Sequence, residues 1–184
     1  MENIRKEDGA MILELAIVLP MFIIVTMFVY GLFVIQSADN QIAHALIQAS
    51  KSLSMDPYSN EKLEHISFEK DAQSFWSSLG NMFLDFNRMG NDEYFSSPEK
   101  WYTTNNFDVV KNRFFGFFAG TEDKAAEKLK KMNIIDGING LAWDVKVEDD
   151  NLEIELKYTI QFWFDAFNLG KIPISHKIVT KLWK

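Results

Sequence analysis

The sequence predicts an α+β protein: a long N-terminal transmembrane helix that continues outward, a helical middle region and a C-terminal three-stranded antiparallel meander. Three observations predict it. From Ala10 to Ile35 run 26 residues whose only ionisable side chains are Glu14 and Tyr30. Apolar residues then recur at spacings of three and four as far as residue 54. From residue 141 onward the period changes to two, the signature of strands with one buried face.

As a helix the first run is roughly 39 Å long, against a hydrocarbon core of about 30 Å, so it can span a bilayer with tilt to spare. A core helix of that length, apolar all round, needs a larger protein than 184 residues. A cleaved signal has an apolar region of about 7–15 residues and a small-residue cleavage site, and the run is too long for that. Arg5 and Lys6 precede the span and no Lys or Arg follows until Lys51, which places residues 1–9 in the cytoplasm and the rest outside. The limits are a leader at 1–9, a transmembrane helix at 10–36 and an extracytoplasmic head at 37–184. The head is helical over 37–135, with its sheet at 141–183.

Ile35, Ala38, Ile42, Ala45, Leu46, Ala49 and Leu53 share one face of the continuing helix. Pro57, in "SMDPYSN", is expected to end it. A second helix is expected over 61–89, with irregular chain over 90–106. A short aromatic helix is expected within 107–120, and a third segment capped by Thr121, with acidic residues in its first turn and Lys130 and Lys131 in its last. In the meander, Leu141, Trp143, Val145 and Val147 alternate, then Leu152 through Phe162, then Ile172 through Leu182, with His176 and Thr180 on the inward side. "EDDN" makes the first hairpin loop and "DAFNLGK" the second connection. A fragment beginning near Ser54 is expected to fold independently.

Composition narrows function. The chain has no cysteine, a formal charge of −7 and 14% aromatic residues. Disulfides and thiolate metal sites are excluded, and an acidic head is a poor footprint for nucleic acid. His44, His65 and His176 follow no ligand spacing, "EDDNLE" lacks the glycine and distal glutamate of a calcium loop, and "GINGLAW" lacks the third glycine of a dinucleotide fingerprint. No nucleophile motif is present. The expectation is a non-enzyme without cofactor, metal or small-molecule substrate. Thirteen aromatic residues between Phe75 and Phe118 read as the core of the head.

Glu14 and Pro20 need separate accounts. A carboxylate in a membrane segment is a functional hypothesis that asks for a partner. Shallow depth is the simpler reading, because Glu14 is only about 6 Å along the axis from Ala10. Pro20 lacks an N–H and crowds the carbonyl of Ala16. It is either a tolerated membrane proline or a hinge. Gly9 stands where the charged "ENIRKED" meets the apolar run, and Glu14 is the fifth residue after it.

This arrangement resembles the processing site of type IV pilins. "GAMILELAIVLP", with Gly9, Glu14, Ala16 and Pro20, is similar to the start of TadE-like pseudopilins of the tight-adherence (type IVc) pilus system. The resemblance implies cutting between Gly9 and Ala10 by a prepilin peptidase. It also implies pairing of Glu14 with the free amine of Ala10 on a neighbouring subunit, and helix packing into a fibre with Pro20 as the hinge. Leu15 stands where major pilins usually carry tyrosine, and the chain is long for that class; both favour a minor pilin or pseudopilin. The implied partners are membrane lipid, the peptidase, other pilins and Tad assembly proteins. The alternative is a non-pilin, single-pass membrane-anchored surface domain for ligand binding or sensing.

Overall fold

The computed structural model describes residues 2–65, 92–95, 101–103, 107–162 and 170–183. Helix α1 spans Glu2–His65, α2 is the single turn Asp92–Phe95, α3 spans Asp108–Ala119 and α4 spans Glu122–Lys131. A 3-10 turn at Gly137–Gly140 leads into strands β1 (Ala142–Glu148), β2 (Asn151–Gln161) and β3 (Lys171–Lys181). The strands form an antiparallel sheet in the order β1-β2-β3, the meander that the period-two pattern predicts. The fold is α+β, with one long apolar amino-terminal helix, shorter helices and a three-stranded antiparallel sheet.

The register follows the inward alternation. Val145 pairs with Ile154, which pairs with Ile178; Trp143 pairs with Leu156, which pairs with His176. Leu152, Ile154, Leu156, Tyr158 and Ile160 are buried, whereas the other face bears Glu153, Glu155, Lys157 and Lys177. Asp149 and Asp150 make the first hairpin loop, with Asp149 at φ 54°, a left-handed position that aspartate tolerates better than most side chains. The expected second connection, 163–169, lies outside the described residues.

The core lies where the outer half of α1 meets α3 on one flank and the sheet on another. Ala38, Ile42, Ala45, Leu46, Ala49 and Leu53 of α1 are all buried. The ring of Phe114 stacks on Phe118 at 5.3 Å and meets Trp143 edge-on at 5.2 Å, joining α3 to β1. Trp101, Phe114, Phe115 and Phe118 are core, as the aromatic-rich stretch predicts for its described part. The Thr121 side chain accepts the Lys124 N–H at 3.4 Å, so α4 starts at its expected cap.

The first helix is longer than its sequence suggests. It does not stop near residue 54: it runs through Pro57 to His65, and the expected break before a second helix is absent. The second helix expected over 61–89 therefore loses its start to α1, and the rest of it, 66–91, lies outside the described residues. Pro57 removes the hydrogen bond to the Leu53 carbonyl, a loss of about 3 kcal/mol in a helix interior. Tertiary contacts on the turn before it compensate. The Ser54 carbonyl accepts the Trp183 N–H at 2.9 Å, and Arg113 of α3 grips Ser52 and Asp56 on the turn before the proline. Within the stretch expected to be irregular, 92–95 form the single turn α2.

Candidate functional site

Along α1 the environment changes abruptly. From Glu14 to Thr26 every residue is exposed, including Leu15 at 60%, Met21 at 63% and Phe22 at 68%. These side chains are exposed around the whole helix, so among the described residues no face of this segment is covered by the rest of the chain. A contiguous apolar surface of this extent does not stay in water; lipid or another protein chain must cover it. The helix is long and apolar enough to cross a membrane, with a mean hydropathy of 2.6 over its most apolar window.

The four residues singled out in the sequence lie in order on this helix. Gly9 and Ala10 fall within α1, one turn before Glu14. The Glu14 side chain is exposed and has no hydrogen-bond or ion-pair partner among the described residues. Pro20 sits inside the helix, which continues past it; two turns later Thr26 Oγ1 donates to the Phe22 carbonyl at 2.8 Å, an internal bond that occupies a hydroxyl otherwise facing an apolar medium. Glu14 and Pro20 thus lie on the exposed stretch of the helix.

The other half of α1 is fixed to the head at three levels. Nearest the apolar segment, the rings of Phe28 and Phe162 meet edge-on at 5.7 Å. In the middle, Asp39 Oδ1 accepts the Tyr158 hydroxyl at 2.8 Å and lies 2.7 Å from His176 Nε2, with Tyr158 and His176 3.2 Å apart. At the far end the Trp183 N–H reaches the Ser54 carbonyl. Asp39 and Ser54 are separated by about 22 Å of helix, and Tyr158 and Asn151 by about 23 Å of strand, so the strands run along the helix axis.

The Asp39–Tyr158–His176 cluster was not foreseen. Burial, reinforced by the hydrogen bond to Asp39, pushes the Tyr158 phenol well above its ordinary value, so it remains a neutral donor. Sequence periodicity had put Tyr158 and His176 on the inward face but gave no sign of Asp39, 119 residues earlier. Asp39 Oδ1 is occupied by both partners, which makes the cluster a joint between α1 and the sheet. Arg113, 4% exposed, pairs with Asp56 at 3.0 Å; burial lowers its affinity for the proton and Asp56 opposes that effect.

A groove of about 570 Å³ runs beside α1 between Phe33 and Gln48 and is walled opposite by Phe117, Phe118 and Lys128. Its α1 wall is amide-rich, with Gln36 donating to Asn40 at 3.2 Å. Among the described residues no cluster of three or more His, Asp or Glu side chains could hold a metal ion. No protein-family model matches the chain, and no curated protein or solved structure matches it significantly.

Proposed function

We propose that this protein is a structural membrane-anchored subunit, a TadE-like minor pilin or pseudopilin. In this reading a prepilin peptidase cuts between Gly9 and Ala10 from the cytoplasmic side, and the head stands outside the cell. The mature chain then joins a Tad-type pilus or secretion fibre, or helps to start one. The observation that carries the reading is the helix from Glu14 to Thr26, exposed on all sides and bearing one carboxylate without a partner among the described residues. A segment of this kind is completed by copies or relatives packed side by side. The amine of Ala10 on a neighbour supplies the charge that Glu14 lacks, and opposite charges meeting in a poor solvent offset the burial of each. The motif around Gly9, Glu14, Ala16 and Pro20 supports the same reading.

Two measurements test it. Mass spectrometry of the native protein is expected to find Ala10 at the amino terminus; Met1 retained in cells with an active prepilin peptidase rejects the proposal. Glu14→Gln leaves the residues at the cut unchanged, so it is expected to be cleaved normally and to fail in fibre assembly. The groove beside α1 favours a second reading, a membrane-anchored surface domain for a ligand. It would be supported by retention of Met1 together with ligand binding that is lost on substituting Gln41 or Gln48.

A further inference from the structure

The end of the head nearest the apolar segment has a charge opposite to that of the chain. Phe28 lies 18 residues beyond Ala10, roughly 27 Å along the helix, so the Phe28–Phe162 contact falls at the far edge of a hydrocarbon layer about 30 Å thick. Tyr30 and Phe33 follow, exposed at 61% and 71%, as aromatic side chains at a membrane interface are. At this level the Gln161 N–H donates to the Asn133 carbonyl at 2.8 Å, which brings the carboxyl end of α4 beside the last residues of β2. Gln161 pairs in register with Lys171. Lys130, Lys131 and Lys171 are therefore grouped at this end and all three are exposed. Lys128, nearby, is committed to the Phe118 carbonyl at 2.9 Å and to the Phe118 ring. Against these four lysines, among the described residues, stand Glu127, paired with Lys131 at 2.7 Å, and Asp136 and Glu122, which share a pocket with Lys130. The opposite end of the sheet is acidic, with Glu148, Asp149 and Asp150 consecutive at the hairpin.

We propose that this basic end is a docking surface for anionic lipid headgroups: Lys130, Lys131 and Lys171 lie in the headgroup layer of the leaflet from which α1 emerges, and they hold the sheet upright on it. The inference rests on α1 crossing a membrane and not on the fibre role. Two properties of the surface favour lipid over a protein partner. It is continuous with the span, so the bilayer is already at hand, and the charge of its described residues is net positive in a chain of net charge −7. Each lysine near an anionic surface contributes about 1 kcal/mol, close to a fivefold gain in occupancy. The acidic hairpin lies some 33 Å away along β2, beyond the reach of the same surface charge at physiological salt.

The chain has no cysteine, so single cysteines can report position. Gln161→Cys, Lys157→Cys and Asn151→Cys form a ladder of exposed sites up β2. Each variant of the full chain is labelled with a fluorophore and reconstituted in vesicles carrying a headgroup-level quencher. One set of vesicles is phosphatidylcholine and the other contains roughly one third phosphatidylglycerol, an anionic lipid. Quenching is expected to fall from position 161 to 157 to 151. At 161 it is expected to be stronger with the anionic lipid, and to lose that excess in about 0.5 M salt, where screening is short-ranged. Lys130→Gln, Lys131→Gln and Lys171→Gln together should abolish the same excess. Flotation with the vesicles and equal quenching at all three positions overturns the inference alone, as does a gradient identical in the two lipids. Failure to float overturns the membrane span and the inference with it.

Discussion

Arg113 carries a permanent charge into the core, and its stability depends on Asp56. A guanidinium cannot shed its proton to escape burial, so the carboxylate and the Ser52 hydroxyl must satisfy it. Asp56→Ala removes the carboxylate that offsets this buried charge and is expected to cost about 3–5 kcal/mol. Replacing both partners by apolar residues, Arg113→Met with Asp56→Leu, is expected to cost far less than Asp56→Ala alone; urea unfolding of the three chains checks this order. Tyr158 gives a pH prediction. Its folded value is raised above the ordinary phenol value near 10, so its contribution to stability is complete below that pH and is lost as pH rises beyond it. Wild type is therefore expected to lose stability between about pH 10 and 11 in a way that Tyr158→Phe does not, read as the difference between their denaturation midpoints across that range. Neither site was legible in the sequence. A periodic pattern tells which face a residue occupies, but Arg113 and Asp56 are 57 positions apart and nothing in a local pattern pairs them.

At the scale of elements, rules that depend on the nearest few residues held and rules that distant contacts can override did not. The strands were legible because alternation is a property of the strand itself, and α4 because Thr121 caps it within one turn. Pro57 was misread because a proline breaks an isolated helix, whereas here Trp183, just beyond β3, and Arg113 hold the turn before it. The 3-10 turn before β1 shows a constraint hidden from composition. A Cβ on Gly140 would lie 1.9 Å from the Ile135 carbonyl oxygen, so only glycine allows the two backbones this close. Gly137 has open space around its Cβ position but a φ of +55°. Gly137→Ala is expected to cost about 1 kcal/mol from backbone strain alone. Gly140→Ala must displace backbone, and is expected to lower the thermal midpoint several times further; equal shifts would show that the turn can open.

Across the whole molecule one helix has two environments, exposed along Glu14–Thr26 and packed into the core from Ala38, and the division decides where the protein can be cut. The expectation that the head folds from Ser54 onward treats α1 as an anchor with a tail. The core contradicts that division. Ile42, Leu46 and Leu53 are fully buried between α3 and the sheet, and Asp39 is the joint to Tyr158 and His176. Truncating a single buried leucine to alanine costs about 2–5 kcal/mol, and a domain's entire margin is about 5–15 kcal/mol. A fragment starting at residue 54 loses all of these groups at once and exposes the apolar face of the sheet, so it is expected to aggregate or remain without fixed packing. A fragment of residues 37–184 keeps Ala38 through Leu53 and the Asp39 joint; among the described residues it gives up the Phe28–Phe162 contact and the packing of Ile35 on the core. It is expected to be soluble and to unfold in one cooperative step. Near-ultraviolet circular dichroism and urea melts of the two fragments decide the matter. Cooperative unfolding of the shorter one would mean that α3 and the sheet form a sufficient core without α1.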